Sequence, residues 1–480
     1  MFLLLSIMNP ILAGIGLTLY AVTGKRSFKD WGLIFCLAPG FGIAVISVLH
    51  FIWMVSVGPN RVIGAYLVIE TAVSAGIFWM AVVRKQIVWK ELFPRLSVQF
   101  NWRPNRAHLI AAGIFFFTLI AFGAHWIIQT RNYPIGHWDA WSIWNLHARF
   151  IFSGDTWRSG FDYALDWSHP GYPLLLPQFV ARSWILLETR TTWIPAVIGL
   201  TYSLSLVGVI VFAVAKLRGW TEAFTAGCFA LVAVSGGLKF LQYADIPLAF
   251  YILSGTLLFI LREKTAELDK GLLCLAGFAV GAAIWTKNEG LVWLGVVFLV
   301  QLGQILISWR KGPRDTVSVF WILLGLAPFL LLESYFKTQI AVLDATLSNM
   351  TVVEMFQKGL DPERYRIVVT SFLEMILWGT RFVFPLLLGY WLIAGKSTAS
   401  VSWTHGIRLM LMFAAYFFIY VLTPSPQQWH LDTSLLRLFT HLIPASILVV
   451  FSNVDNIPLV SGIGFQRAQT QNILDSKDKG

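Results

Sequence analysis

The stretch WIPAVIGLTYSLSLVGVIVFAVA, Trp193–Ala215, contains no Asp, Glu, Lys or Arg and is long enough to cross a hydrocarbon layer as a single helix. Four other runs share this character: Trp31–Pro59, Ala107–Gln129, Ile246–Leu261 and Gly290–Trp309. Hydrophobic residues make up 57% of the 480 and charged residues only 13%, too little polar surface to cover a water-soluble globule. The chain therefore reads as an all-α polytopic membrane protein. Cys36, Cys228 and Cys274 are odd in number and each lies in an apolar run, which argues against a disulfide framework or a zinc site. The net charge of +11 has no basic helix or aromatic platform around it, so nucleic acid is not an expected partner. In a membrane protein such an excess marks the cytoplasmic loops.

Breaking the apolar runs at charged, Gly and Pro punctuation predicts about thirteen transmembrane helices. They fall near 8–24, 31–57, 62–83, 108–128, 193–215, 221–240, 246–261, 271–286, 290–309, 316–336, 372–394, 404–423 and 436–453. The N-terminus has no basic segment before its apolar run and reads as a retained span. With these spans, the cations of six loops share one side: Lys25, Arg26 and Lys29; Arg84, Lys85, Lys90, Arg95, Arg103 and Arg106; Lys216 and Arg218; Arg262, Lys264 and Lys270; Arg310, Lys311 and Arg314; and Lys396. The positive-inside rule makes that side cytoplasmic and puts the C-terminus inside. Four regions follow: a three-span N-terminal extension, 1–107, with its basic loop; a module 108–310 with an external loop 129–192; helices 311–455; and a polar tail 456–480.

Residues with chemical potential gather on the opposite, external side. In YPIGHWDAWSIWNLHARFIFSGDTW, residues 133–157, Asp139 sits among His137, Trp138 and Trp141. Trp138, Trp141, Leu146 and Phe150 recur at helical spacing, which predicts an amphipathic helix on the membrane surface. Asn145 and Arg149 are four apart and share a face. An interfacial Trp belt with a solvated Asp is the competing reading. The segment 166–188, DWSHPGYPLLLPQFVARSWILLE, is short and broken by Pro177, Gln178 and Arg182; it predicts a second interfacial or re-entrant helix, with His169 as a phosphate ligand, a proton shuttle or a turn residue. QYADIPLAF puts Asp245 at the mouth of a helix, where a plain N-cap is the alternative. WTKNEGLVW sets Lys287 and Glu289 in a tight turn, and His430, Asp432 and Arg437 lie at the entrance to the last span. Arg437 and Arg381 fall within spans, where an unpaired cation is costly, so each calls for an anionic partner. Carboxylates suit a general base or metal ligand, cations suit phosphate, and Trp faces suit sugar rings. No Walker or Rossmann glycine pattern is present.

The order of these segments resembles the membrane-embedded glycosyltransferases of the GT-C superfamily, nearest to bacterial proteins akin to protein O-mannosyltransferases and lipid A aminoarabinose transferase. WDAWSIWNLHAR with Asp139, followed by HPGYPLLLP with His169, matches the family's acidic external helix and the turn after it. YADIPLAF with Asp245 and TKNEG with Lys287 and Glu289 match two later motifs. The likeness covers roughly 110–310 well. Beyond that it rests on hydropathy and on DTSLLRLFTHLIP. In this sequence Asp139 is followed by Ala140 rather than the second acid common in relatives, which counts against a paired-carboxylate metal site.

The resemblance implies a GT-C-like fold and transfer of a sugar from a polyprenyl-phosphate or polyprenyl-diphosphate donor to a glycan, lipid or protein acceptor, with inversion. The site would face the periplasm of a bacterial inner membrane. It implies catalytic roles for Asp139, Asp245 and Glu289, with Asp139 the general base. Substrate binding would fall to His137, Trp138, Trp141, Arg149, His169, Lys287, Arg381, His430 and Arg437. A divalent cation (Mg or Mn), if used, would sit on Asp139 and Asp245; membrane lipid would surround the prenyl chain. A transporter or lipid flippase would also explain the many spans and the intramembrane Glu70, Glu333 and Arg381. A non-catalytic subunit of an envelope-assembly complex is the third reading.

Overall fold

The computed structural model describes residues 2–22, 26–85, 106–236, 242–265, 268–308, 314–341, 350–395, 397 and 401–454. The loop cations Lys25, Lys90, Arg95, Arg103, Arg310, Lys311 and Lys396 and the polar tail 456–480 lie outside these residues. Every long element described is a helix: α1 (Phe2–Thr18), α2 (Phe28–Ser56), α3 (Ile63–Arg84), α4 (Arg106–Asn132), α5 (Asn145–Phe152), α6 (Leu175–Leu187), α7 (Trp193–Leu217), α8 (Trp220–Gly236), α9 (Asp245–Glu263), α10 (Lys270–Thr286), α11 (Glu289–Ser308), α12 (Arg314–Gln339), α13 (Val352–Leu360), α14 (Pro362–Glu374), α15 (Val383–Ala394), α16 (Thr404–Leu422) and α17 (Gln427–Asn453). Apolar segments of this length satisfy their backbone internally only as helices in hydrocarbon. Among the described residues ten helices are long and apolar enough to cross a membrane, or eleven if one bent pair is a single span. Of the other two spans expected from sequence, α8 and α10 are helices of 17 residues.

The bent pair corrects the expectation of one helix over 372–394. The chain turns by 71° between Gly379 and Val383, with Arg381 and Phe382 at φ 55° and 62°. Pro385 explains the break, since its ring would meet the carbonyl of Arg381 in a continuous helix and it has no N–H to donate there.

The centre of the bundle is α9, buried from Asp245 through Leu261. It packs on α7, α10 and α17, so the acid at its first turn is surrounded on several sides. The pair α10 and α12 approaches to backbone contact through glycine, as membrane helices do where small residues meet. A Cβ on Gly277 would lie 2.0 Å from the Ile322 carbonyl oxygen, and one on Gly325 would lie 1.9 Å from that of Cys274, which fastens α10 to α12. Gly277→Leu is expected to cost about 3 kcal/mol or more through forced separation of these helices. Gly295→Leu, in α11 with nothing within 4 Å of its Cβ, should be close to neutral. Thermal unfolding of both variants in detergent checks the pair.

The two predicted surface helices come out differently. Over 133–157 the chain is helical from 138 to 152, with a π-helical turn, Ala140–Trp144, leading into α5, and 3-10 turns follow. Its inner face of Trp144, Asn145, His147, Ala148 and Ile151 is buried, while Trp138 is 62% exposed. For the segment 166–188, read from sequence as an interfacial or re-entrant helix, the helix is α6, buried along its length against α1, α2 and α5. Gln178 and Arg182 interrupt the apolar run, but their four-residue spacing puts them on one stripe. The N-terminal helices meet that stripe. His50 Nδ1 lies 2.6 Å from Gln178 Oε1. The Arg182 guanidinium grips both oxygens of Glu70 and donates to the Ser6 carbonyl at 2.9 Å. Glu70 also accepts from Asn9 Nδ2 at 2.8 Å. Helices α1–α3 are thus the wall that seats α6.

Candidate functional site

At one end of the bundle, ionisable residues from four separate segments converge. Asp245 is the first helical residue of α9, with Pro247 in the same turn, where a missing N–H costs nothing. The N-cap is Ala244, and no side chain caps the helix. The carboxylate is turned inward instead, which removes the plain N-cap reading. Its Oδ1 accepts from Lys287 Nζ at 2.8 Å and faces His441 Nε2 at 2.7 Å; its Oδ2 accepts from Arg437 Nε at 3.0 Å. With Nε2 donating, His441 Nδ1 is the acceptor, and the Tyr416 hydroxyl lies 3.1 Å from it. Asp245 and His441 are fully buried.

Arg437 joins this group to the external loop. Its Nη1 lies 2.7 Å from Asp139 Oδ2, and its guanidinium sits over the Tyr243 ring, 5.0 Å from the centroid. The Asp139 backbone amide donates to the Tyr243 hydroxyl at 3.1 Å. Burial, and then the negative charge of Asp139, push the Tyr243 phenol up to about 12, so it stays neutral throughout the physiological range. Lys287, in the turn between α10 and α11, also pairs with Glu289 at 2.8 Å. The chain of contacts runs Asp139–Arg437–Asp245–Lys287–Glu289. Three carboxylates thus face two cations, and each cation is held by carboxylates on either side.

The sequence singles out all five of these residues, and the fold brings them together. The other candidates make contacts of their own around it. His169 has φ 54° and stacks on Tyr172 at 4.8 Å, and Tyr172 in turn stacks on Trp144. His137 packs on Tyr133, and Trp138 on Trp141. His430 meets the Thr423 hydroxyl at 2.8 Å and the Tyr420 ring; Asp432 is exposed and accepts from Gln428 at 2.9 Å. Arg381 lies at the helix break, exposed, and donates to the Ser235 hydroxyl at 3.0 Å. The anionic partner expected for it is not what that contact supplies; the expectation is met at Arg437.

Several contributors escape a reading of the sequence. His441 follows Arg437 by one helical turn, a spacing that could have flagged it. Tyr243 and Gln242 precede Asp245 closely. Lys337 of α12 could not be anticipated: it donates to the Gly171 carbonyl and, at 2.8 Å, to Asn288 Oδ1, tying the 169–172 turn to the turn of Lys287.

A cavity of about 360 Å³ opens beside the cluster, lined by Ile135, Asn145, Arg149, Trp184, Arg190, Thr192, Pro195 and Gln242. Asn145 Nδ2 donates to Gln242 Oε1 at 3.0 Å, and the Gln242 amide reaches the Pro134 carbonyl at 3.2 Å. A smaller pocket shares Asn145, Pro195 and Gln242 with it and continues to Tyr243 and Pro247.

The pair Asp139 and Asp245 does not fit a divalent cation as arranged. Arg437 bridges the two carboxylates, and donors occupy both oxygens of Asp245. What the cluster can do is hold one partly exposed carboxylate, Asp139, in a fixed position beside a cation. No protein-family model, curated protein or solved structure matches the chain.

Proposed function

We propose that this chain is a membrane-embedded glycosyltransferase of the GT-C kind. It moves a sugar from a polyprenyl-phosphate-linked donor to an acceptor on the external face of a cell membrane, with inversion. The observation that carries this reading is the convergence of Asp139, Asp245, Lys287, Glu289 and Arg437 at one end of an apolar bundle, with a cavity alongside that Arg149 and Arg190 help to line. Asp139 is the general base. It removes the proton of the acceptor hydroxyl as that oxygen attacks the anomeric carbon, and the donor phosphate leaves on the opposite side with the bonding electron pair. Arg437 fixes the carboxylate in position, and orientation of this kind supplies a large share of such a rate. Asp245, saturated by donors, is a positioning residue for Arg437 and Lys287, and Glu289 serves the same end. No step in this scheme is routed through a metal.

The test is a transfer assay on the purified protein in lipid, supplied with radiolabelled polyprenyl-phosphate sugars and a cell-envelope extract. Label entering an acceptor supports the reading and names the donor. Donors bound or carried across the bilayer with no label transferred would favour a transporter instead.

A further inference from the structure

The charge balance of the cluster leaves a question that the transferase reading must answer. A donor attached through phosphate brings negative charge, and that charge grows on the phosphate as the sugar leaves. Lys287 and Arg437 are already held between Asp139, Asp245 and Glu289, three carboxylates against two cations. A further anion in that position would face net negative charge. Two cations that are not neutralised in this way line the cavity alongside.

Arg149 and Arg190 are exposed side chains lining that cavity, and among the described residues neither has a carboxylate partner. Arg190 is steadied over the Phe152 ring at 5.7 Å. Thr192, the N-cap of α7, lines the same space, so the positive end of a 25-residue helix adds to the two guanidiniums. The Asn145 and Gln242 amides close the side towards Tyr243. Two forked donors, a hydroxyl and a helix N-terminus around about 360 Å³ suit a tetrahedral oxyanion.

We propose, building on the transferase reading, that this cavity is the phosphate subsite for the lipid-linked donor, with Arg149 and Arg190 as its anion ligands. Lys287 and Arg437 are thereby reassigned from phosphate binding to holding the carboxylates.

The test measures binding without turnover. The full chain in phosphatidylcholine nanodiscs is titrated with a short-chain polyprenyl monophosphate carrying no sugar. Arg149→Gln and Arg190→Gln should each weaken binding about tenfold, the loss of one charged hydrogen-bond set, and the double variant should weaken it more than either. Arg149→Lys should recover part of the loss, and Asp139→Asn should bind like the unmodified protein. Because both arginines are exposed, these variants are expected to elute as the unmodified protein does on size exclusion. A double variant that binds within about twofold of the unmodified protein would overturn the proposal. Equal displacement by phosphatidylglycerol would also overturn it, by making the cavity a bulk-headgroup site. Inorganic phosphate binding as tightly as the lipid would overturn the lipid-donor assignment. Arginine-dependent binding in a protein that transfers no sugar would sink the transferase reading while leaving the site in place.

Discussion

Asp245→Ala is expected to lower stability by about 3–5 kcal/mol and to reduce sugar transfer to background. The substitution removes the one group that holds Lys287, Arg437 and His441 together. Lys287 would keep Glu289, and Arg437 would keep Asp139, but each cation would lose one of the two carboxylates that hold it, and the two would then face each other across the space Asp245 filled. Removing one partner from a buried, hydrogen-bonded charge network is costly because the groups left behind stay desolvated with fewer partners. Asp245→Asn should be milder in stability and nearly as damaging to transfer, since an amide can still accept from Arg437 but lacks the charge that keeps both cations in place. Thermal unfolding in detergent alongside the transfer assay separates the two effects. An Asp245→Ala protein as stable as the unmodified one would show that the carboxylate is not the keystone described above.

The second large effect is expected at the buried pair of Glu70 and Arg182. Either single change, Glu70→Leu or Arg182→Leu, should cost about 3–5 kcal/mol, because each leaves one charge buried without its partner. The double change should recover most of that loss, since two apolar side chains replace two desolvated ions. A double-mutant cycle on unfolding in detergent measures the coupling. If the two single losses simply add in the double variant, the pair is not what binds α6 to the N-terminal helices. A transfer readout adds a second axis. Loss of activity in a stable double variant would mean that the charges also set the placement of α5, which packs on α6 and leads back to Asp139.

Much of this is legible in the sequence, and the exceptions have identifiable causes. Charge-free length is a one-dimensional signal, so the spans can be read directly from runs such as Trp193–Ala215. The members of the cluster can be picked out because an acid or a cation at the edge of an apolar run is rare enough to notice. Their mutual contacts cannot, since Asp139, Asp245, Lys287 and Arg437 lie in segments far apart in the chain and nothing local encodes how those ends meet. The burial of α6 is hidden for a related reason: Gln178 and Arg182 look like surface residues until Glu70 and His50, more than a hundred residues earlier, are known to face them. The break at Arg381 is written in Pro385, yet hydropathy alone reads the run as one span. His441 is concealed by its apolar setting, where a histidine ordinarily serves packing.

In the proposed mechanism Asp139 is the base and the remaining charges serve to hold it. The most direct measurement is the transfer rate of Asp139→Asn beside its thermal stability and its binding of polyprenyl phosphate. The substitution is nearly isosteric, and Arg437 would retain Asp245. Stability and binding should therefore change little, while the rate should fall by about 10²–10⁴-fold, the span general-base catalysis commands. Transfer within a few-fold of the unmodified protein would contradict the account.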